Sequence, residues 1–128
     1  MFISMLRAKL HQARVTAADL NYPGSITIDA ALLDRAGMYA YEKVLVVDIE
    51  NGARFETYII SGKAESGEIQ LNGAAARLAG IGDRLIIMAF ISTTFPPPKN
   101  WQPRVLVLDE KNKVLSIEEE SPSPTHQE

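Results

Sequence analysis

The sequence predicts a small, mainly β protein whose strands close into a barrel. Three observations carry that expectation. Apolar and β-branched residues recur in runs too short for ordinary helices, as in Val44 to Ile49, Phe55 to Ile60 and Leu85 to Ile91. Turn dipeptides such as Pro23-Gly24, Asn51-Gly52 and Asn72-Gly73 punctuate them. No internal repeat relates the runs, and closure is the natural way to remove exposed edges from such a set. The chain has 128 residues, 46% of them hydrophobic and 23% charged, which suits one compact domain with its own core.

Each element has a local reason. Residues 2–15 alternate as a strand, with Met5, Arg7, Lys9 and His11 on one face and Leu6, Ala8 and Leu10 on the other. Thr16 to Leu20 reads as one helical turn capped by Thr16. After the Pro23-Gly24 turn, Ser25 to Ile28 is a short β-branched stretch. Asp29 to Ala36 reads as a short helix, capped by Asp29 and stopped by Gly37. Val44 to Ile49 and Phe55 to Ile60 are the arms of a hairpin across Asn51-Gly52, where both turn residues tolerate positive φ. Ile69 to Leu71 is a strand that leads through Asn72-Gly73 into a one-turn helix, Ala74 to Leu78. Leu85 to Ile91 is a further apolar strand. Pro96-Pro97-Pro98 is a stiff connector that cannot join a ladder. Val105 to Leu108 and Val114 to Ile117 make a last hairpin. The domain is therefore read as residues 1–117, with 118–128 an acidic, Ser- and Pro-containing tail expected to be disordered.

Composition excludes several classes of function. There is no cysteine, hence no thiolate nucleophile, thiolate zinc site or disulfide. The net charge is −3 and the 13 Lys and Arg residues are scattered, without the basic stripe of a nucleic-acid binder. No apolar run approaches the ~20 residues of a membrane span, and the N-terminus lacks the basic-then-apolar order of a signal peptide. The expectation is a cytoplasmic protein with no nucleic-acid or membrane partner. No metal-ligand spacing, phosphate loop or dinucleotide fingerprint appears, and no metal is expected.

Four constellations can carry chemistry. Gly24-Ser25 is a turn dipeptide at which a serine hydroxyl can attack the preceding carbonyl; it is equally an ordinary turn. Arg54-Phe55-Glu56-Thr57-Tyr58 places Arg54 and Tyr58 on one strand face and Thr57 on the other. Arg54 can clamp a carboxylate, Tyr58 can donate a proton and Thr57 can polarise a carbonyl. One site can use all three only at a bend or between subunits. Lys9 and His11 share a face, where Lys9 adds positive potential and His11 is either structural or supporting. Asn72-Gly73-Ala74-Ala75-Ala76 offers small residues and backbone N–H groups to a carbonyl or an anion, or simply turns into a short helix.

Together, Lys9-Leu10-His11, Thr16 to Ser25, Ile28-Asp29, Asn51 to Tyr58, Asn72 to Ala76 and Gly82-Asp83 form a collinear set over residues 1–95. That set resembles the pyruvoyl-dependent aspartate 1-decarboxylases, which make β-alanine for pantothenate and hence coenzyme A synthesis. The resemblance implies a double-psi β-barrel assembled as a homotetramer, with active sites between subunits. It implies self-cleavage of a precursor at Gly24-Ser25 into residues 1–24 and 25–128, with a covalent pyruvoyl group made from Ser25 as the only cofactor. The activity implied is that of a carboxy-lyase acting on L-aspartate through a Schiff base with this group. Ser25 and Tyr58 would be catalytic, with Tyr58 the proton donor. Gly24, Ser25 and Thr57 would serve self-processing, and Lys9, Arg54, Thr57, Asn72, Gly73, Ala74 and Ala75 would bind substrate. His11 and Tyr22 would support them. Whether a maturation helper is required is left open. Arg77 stands where the family commonly has histidine.

Overall fold

The structure, a computed structural model, describes residues 1–119. The nine strands are β1 (Phe2–Arg14), β2 (Ala17–Asp19), β3 (Ser25–Asp29), β4 (Lys43–Asp48), β5 (Arg54–Gly62), β6 (Ile69–Asn72), β7 (Arg84–Thr94), β8 (Arg104–Leu108) and β9 (Val114–Glu119). One helix, α1 (Ala30–Ala36), and one 3-10 turn over Gly73–Arg77 complete the described elements. The strands form one sheet in the order β2-β6-β3-β5-β4-β7-β1-β8-β9. β1 and β2 stand far apart in that order, yet only Val15 and Thr16 separate them in the chain. So short a link is possible only because the sheet curls back on itself. Buried side chains from β1, β3, β4, β5, β6, β7, β8 and α1 accordingly meet in a single core. The fold is mainly β and barrel-like, as the sequence predicts.

Antiparallel ladders join β1 to β7, β4 to β5 and to β7, β3 to β6, and β8 to β9. Parallel ladders join β1 to β8, β2 to β6 and β3 to β5. β3 is thus gripped on both sides, and all five of its residues are buried. α1 forms as expected: the Asp29 side chain accepts from Ala31 N–H, and Gly37 ends the helix at φ +74°. The Asn51-Gly52 hairpin is present as well, although only Gly52 takes positive φ, while Asn51 Oδ1 accepts from Ala53 N–H at 2.8 Å.

Three expectations are corrected. Thr16 to Leu20 is not a helical turn. Thr16 N–H donates to the Ile69 carbonyl at 2.8 Å, Ile69 N–H returns to Thr16 Oγ1 at 3.0 Å, and Ala17 to Asp19 pair with Gln70 to Asn72. A ladder against an existing strand outweighs an isolated turn that fixes several dihedrals for one hydrogen bond. The rough alternation of β1 is also interrupted, because its register slips between Leu6 and Ala8 and again between His11 and Ala13. Gln12 takes φ +64° at the second slip, and the buried positions pass from Ala8 and Leu10 to Ala13 and Val15. Lastly, β9 runs through Glu118 to Glu119, two residues into the stretch read as tail. The rest of that stretch, residues 120–128, lies outside the described residues.

Asp48, at the end of β4, is a fully buried acid whose Oδ2 has no donor. Asp83 is its neighbour. Burial first, then the hydrogen bond and charge of Asp83, push the Asp48 carboxyl upward. Asp83 is drawn downward by the hydrogen bond from Asp48 and by the N–H of Gly80. One proton shared between the two carboxyls would satisfy Oδ2 and avoid a second charge beside half-buried Asp83.

Candidate active site

The site is built around the first residue of β3. Ser25 is fully buried, and its backbone is opposite Asn72 in the β3–β6 ladder. Its hydroxyl donates to the Pro23 carbonyl at 2.8 Å and accepts from Asn72 Nδ2 at 2.9 Å. The same amide nitrogen donates to Thr27 Oγ1 at 3.0 Å, and Gln70 Nε2 donates to Asn72 Oδ1 at 2.8 Å. Strand periodicity explains the grouping: Ser25 and Thr27 share a face of β3, and Gln70 and Asn72 share a face of β6. The resemblance implies that Asn72 orients a substrate; in the structure it holds the serine hydroxyl. Thr27 and Gln70 do not stand out in the sequence. Their signal is the matching period-2 spacing of polar residues on two short strands, legible only once the register of those strands is known.

Gly73 lies against the Gly24-Ser25 turn. Its φ is +68°, and a Cβ there would sit 2.7 Å from Gly24 Cα, 2.8 Å from Gly24 N and 3.0 Å from the Tyr22 carbonyl. The fold therefore requires glycine at this position, both for its conformation and for the close approach. Gly24 itself is not in the left-handed region, and a Cβ on it would meet open space. The smallness of the Asn72 to Ala76 stretch thus lets the chain's own turn come close.

On the open side of Gly24 is a pocket of about 320 Å³ lined by Gly24, Phe55, Glu56, Thr57, Tyr58, Ala75 and Leu78. A second recess of about 240 Å³, lined by Lys43, Glu56, Thr57 and Tyr58, adjoins it through their shared residues. Thr57 and Tyr58 both border the pocket despite being consecutive on β5, so the conflict between their faces does not arise at this rim. Phe55, Glu56 and Leu78 are site residues that sequence reasoning misses. Nothing local marks them; they line the pocket because β5 and the 3-10 turn converge on Gly24.

One chain therefore brings together Gly24, Ser25, Asn72, Gly73, Ala75, Thr57, Tyr58 and the carbonyl of Tyr22. Ala74 is exposed on the 3-10 turn beside Ala75. Lys9, His11 and Arg54 do not line this pocket, although Arg54 directly precedes Phe55 on β5. Lys9 pairs with Met88 and Val105 in the ladders of β1, and exposed Arg54 begins β5 opposite Val47. Among the described residues neither cation has an ion-pair partner. His11 is opposite Ile86 and Val107, and its Nδ1 is buried without a hydrogen bond. Among the described residues no group of three potential metal ligands forms.

The sequence matches the family described as aspartate decarboxylase over residues 1–115. The chain belongs to the aspartate decarboxylase family. Curated relatives agree with that assignment. A Carboxydothermus hydrogenoformans protein named aspartate 1-decarboxylase is 55% identical over 119 residues, covering 93% of this chain and 94% of its own length. A Caldicellulosiruptor bescii protein of the same name is 53% identical, covering 91% of both chains. One from Clostridium botulinum is 54% identical, covering 91% of this chain and 92% of its own. The family match spans both the Gly24-Ser25 turn and the β5 strand that faces it.

Proposed function

We propose that this chain is an aspartate 1-decarboxylase, a carboxy-lyase that converts L-aspartate to β-alanine and CO₂ and so supplies β-alanine for pantothenate. Family membership supports the reaction. The observation that carries the site is the buried Ser25 hydroxyl, held by Asn72 directly behind a turn whose open side faces Thr57 and Tyr58.

Maturation of the precursor comes first. Ser25 Oγ adds to the Gly24 carbonyl carbon, with Thr57 polarising the carbonyl oxygen, and the Gly24–Ser25 C–N bond breaks to leave an ester. Elimination leaves Gly24 with a carboxylate that carries the serine oxygen. Hydration with loss of ammonia then converts the Ser25 remnant to pyruvoyl. The surroundings fit such a group. The β3 ladders to β5 and β6 hold the new terminus in place, Asn72 Nδ2 remains as a donor, and the pocket lies on the side where Gly24 has no side chain.

Once formed, the group supplies a ketone that takes up the substrate amine and accepts the electron pair released with CO₂. The chain's own residues do the rest. Arg54, helped by Lys9, holds the side-chain carboxylate and so decides which carboxylate leaves. Tyr58 donates a proton to the carbon that lost CO₂. Asn72 and the N–H groups of Gly73, Ala74 and Ala75 orient the substrate, with Tyr22 and His11 in support. Lys9 and Arg54 come from a neighbouring protomer of a cytoplasmic homotetramer. That placement is supported by their absence from the pocket lining of their own chain and by their lack of an ion-pair partner among the described residues.

Intact mass under denaturing conditions tests the reading. Two chains are expected, residues 1–24 and 25–128, the larger lighter by one ammonia than a Ser25 terminus, and the cleaved protein should release CO₂ from aspartate. A chain that stays whole after prolonged warm incubation, without decarboxylase activity, would sink it.

A further inference from the structure

We propose that Tyr41 is a positioning residue that fixes the ring of Tyr58 at the pocket. The proposal rests on the reading of Tyr58 as proton donor. The two rings are stacked, with centroids 6.3 Å apart and planes 22° from parallel. That is the offset geometry in which aromatic pairs attract.

The backbone beneath Tyr41 makes the contact more than a chance meeting. Tyr41 takes φ +70°, in the left-handed region that a bulky side chain occupies only at a cost. The residue is 80% exposed, so burial within the chain does not repay that cost. What holds the residue there is a set of bonds to the strand that carries Tyr58. Tyr41 N–H donates to the Ile59 carbonyl at 2.7 Å, and Ile59 N–H donates to the Glu42 carbonyl at 3.0 Å.

Glu42 is anchored in turn. Arg7 of β1 grips its carboxylate through Nε and Nη2 and donates from Nη1 to the Gly37 carbonyl at 2.7 Å. Glu42 Oε1 also accepts from Tyr39 N–H at 3.1 Å. A two-point Arg–carboxylate contact has little rotational freedom. The segment 37–42 is thus tied to the end of α1, to β1 and to β5 at once, and its one strained residue carries the ring that meets Tyr58. A proton donor must be held to within a fraction of an ångström to be effective. The stack supplies such a constraint on the ring of Tyr58.

Two substitutions at Tyr41 and one at Tyr58 decide the matter. Tyr41→Asn removes the ring while suiting the left-handed backbone, so the protein should fold and cleave itself at Gly24-Ser25 as before. We expect its kcat to fall about tenfold, less than the ~100-fold that a full 1 Å misplacement can cost, with KM unchanged. Tyr41→Phe keeps the stack and should restore kcat. In a Tyr58→Phe background, Tyr41→Asn should cost nothing further, because its effect passes through the phenol. Unchanged kcat in Tyr41→Asn, alongside a slow Tyr58→Phe, would overturn the positioning role and leave the proton donor standing. A full additional loss in the Tyr58→Phe background would overturn it as well, by showing that the ring acts on something else. Full turnover in Tyr58→Phe would remove the proton-donor reading, and the positioning role with it.

Discussion

Asn72 divides one amide nitrogen between two hydroxyls, those of Ser25 and Thr27. An acceptor on Ser25 is filled while the Ser25 proton points at the Pro23 carbonyl, so the proposed nucleophile is held before any attack begins. Asn72→Ala should slow self-cleavage, followed as the mass ratio of cut to uncut chain over time. It should also cost about 1–3 kcal/mol of stability by stranding buried polar groups, read from the urea midpoint. Thr57 and Tyr58 can be separated in the same way. Thr57→Val should leave the chain whole, whereas Tyr58→Phe should cleave normally and then turn over roughly 10²–10⁴ times more slowly, the usual contribution of a positioned acid. The identities of these residues are legible in the sequence, because Gly24-Ser25 and the Arg54 to Tyr58 stretch stand out as chemistry. What Asn72 touches is not, since the contact depends on the register of β3 against β6. Tyr41 gives no signal: its left-handed backbone goes with the bond from its N–H to the Ile59 carbonyl, and Ile59 is brought to it by the pairing of β5 with β4.

Elements place these residues, and glycine decides one of the placements. Gly73 lets β6 end against the Tyr22 to Gly24 turn. Gly73→Ala introduces a Cβ at 2.7 Å from backbone and strains a φ of +68°. The turn must move, and we expect self-cleavage to be lost together with about 1–3 kcal/mol of stability; gel analysis and thermal unfolding of the variant check both. The hairpin from β4 to β5 carries a second testable feature. Asp48 is raised in the folded state, so its contribution is greatest at low pH and fades as pH rises through its folded value. Asp83 is lowered, so its contribution is present at higher pH and fades as pH falls through its folded value. Asp48→Asn replaces the shared proton by a permanent N–H donor. The parent should lose stability as pH rises from the ordinary carboxyl range through the folded value of Asp48, and the variant should lose less; unfolding midpoints across a pH series decide it. Strands, the α1 caps and the hairpin turn are readable because each depends on neighbours in sequence. The strand at Ala17 to Asp19 and the bulge at Gln12 are not, because each answers to a partner far along the chain, β6 in one case and β7 in the other.

The whole molecule divides its proposed site. Gly24, Thr57 and Tyr58 share a pocket within one chain, while Lys9 and Arg54 are not among the residues that line it. If neighbouring protomers complete each other, an Arg54→Ala chain and a Ser25→Ala chain should each be inactive alone and regain measurable activity when co-expressed. Failure to regain any, with mixed assemblies confirmed by native mass spectrometry, would place all the groups in a single protomer. The barrel-like class is legible from many short strands and frequent turns, but the division is not, because a sequence does not say which surfaces meet. The path of the N-terminal segment governs the fate of a cut chain. β1 lies inside the sheet, between β7 and β8, and β2 caps its far edge beside β6. If the chain cleaves as proposed, the fragment of residues 1–24 would be woven through the barrel and could not leave while the rest stands. Breaking the peptide bond alters the way back instead: what was a single chain refolding on itself becomes an encounter between two solutes, whose rate falls with dilution. Heat would then act as a ratchet, with the uncut precursor recovering on cooling and the mature protein recovering only at high concentration.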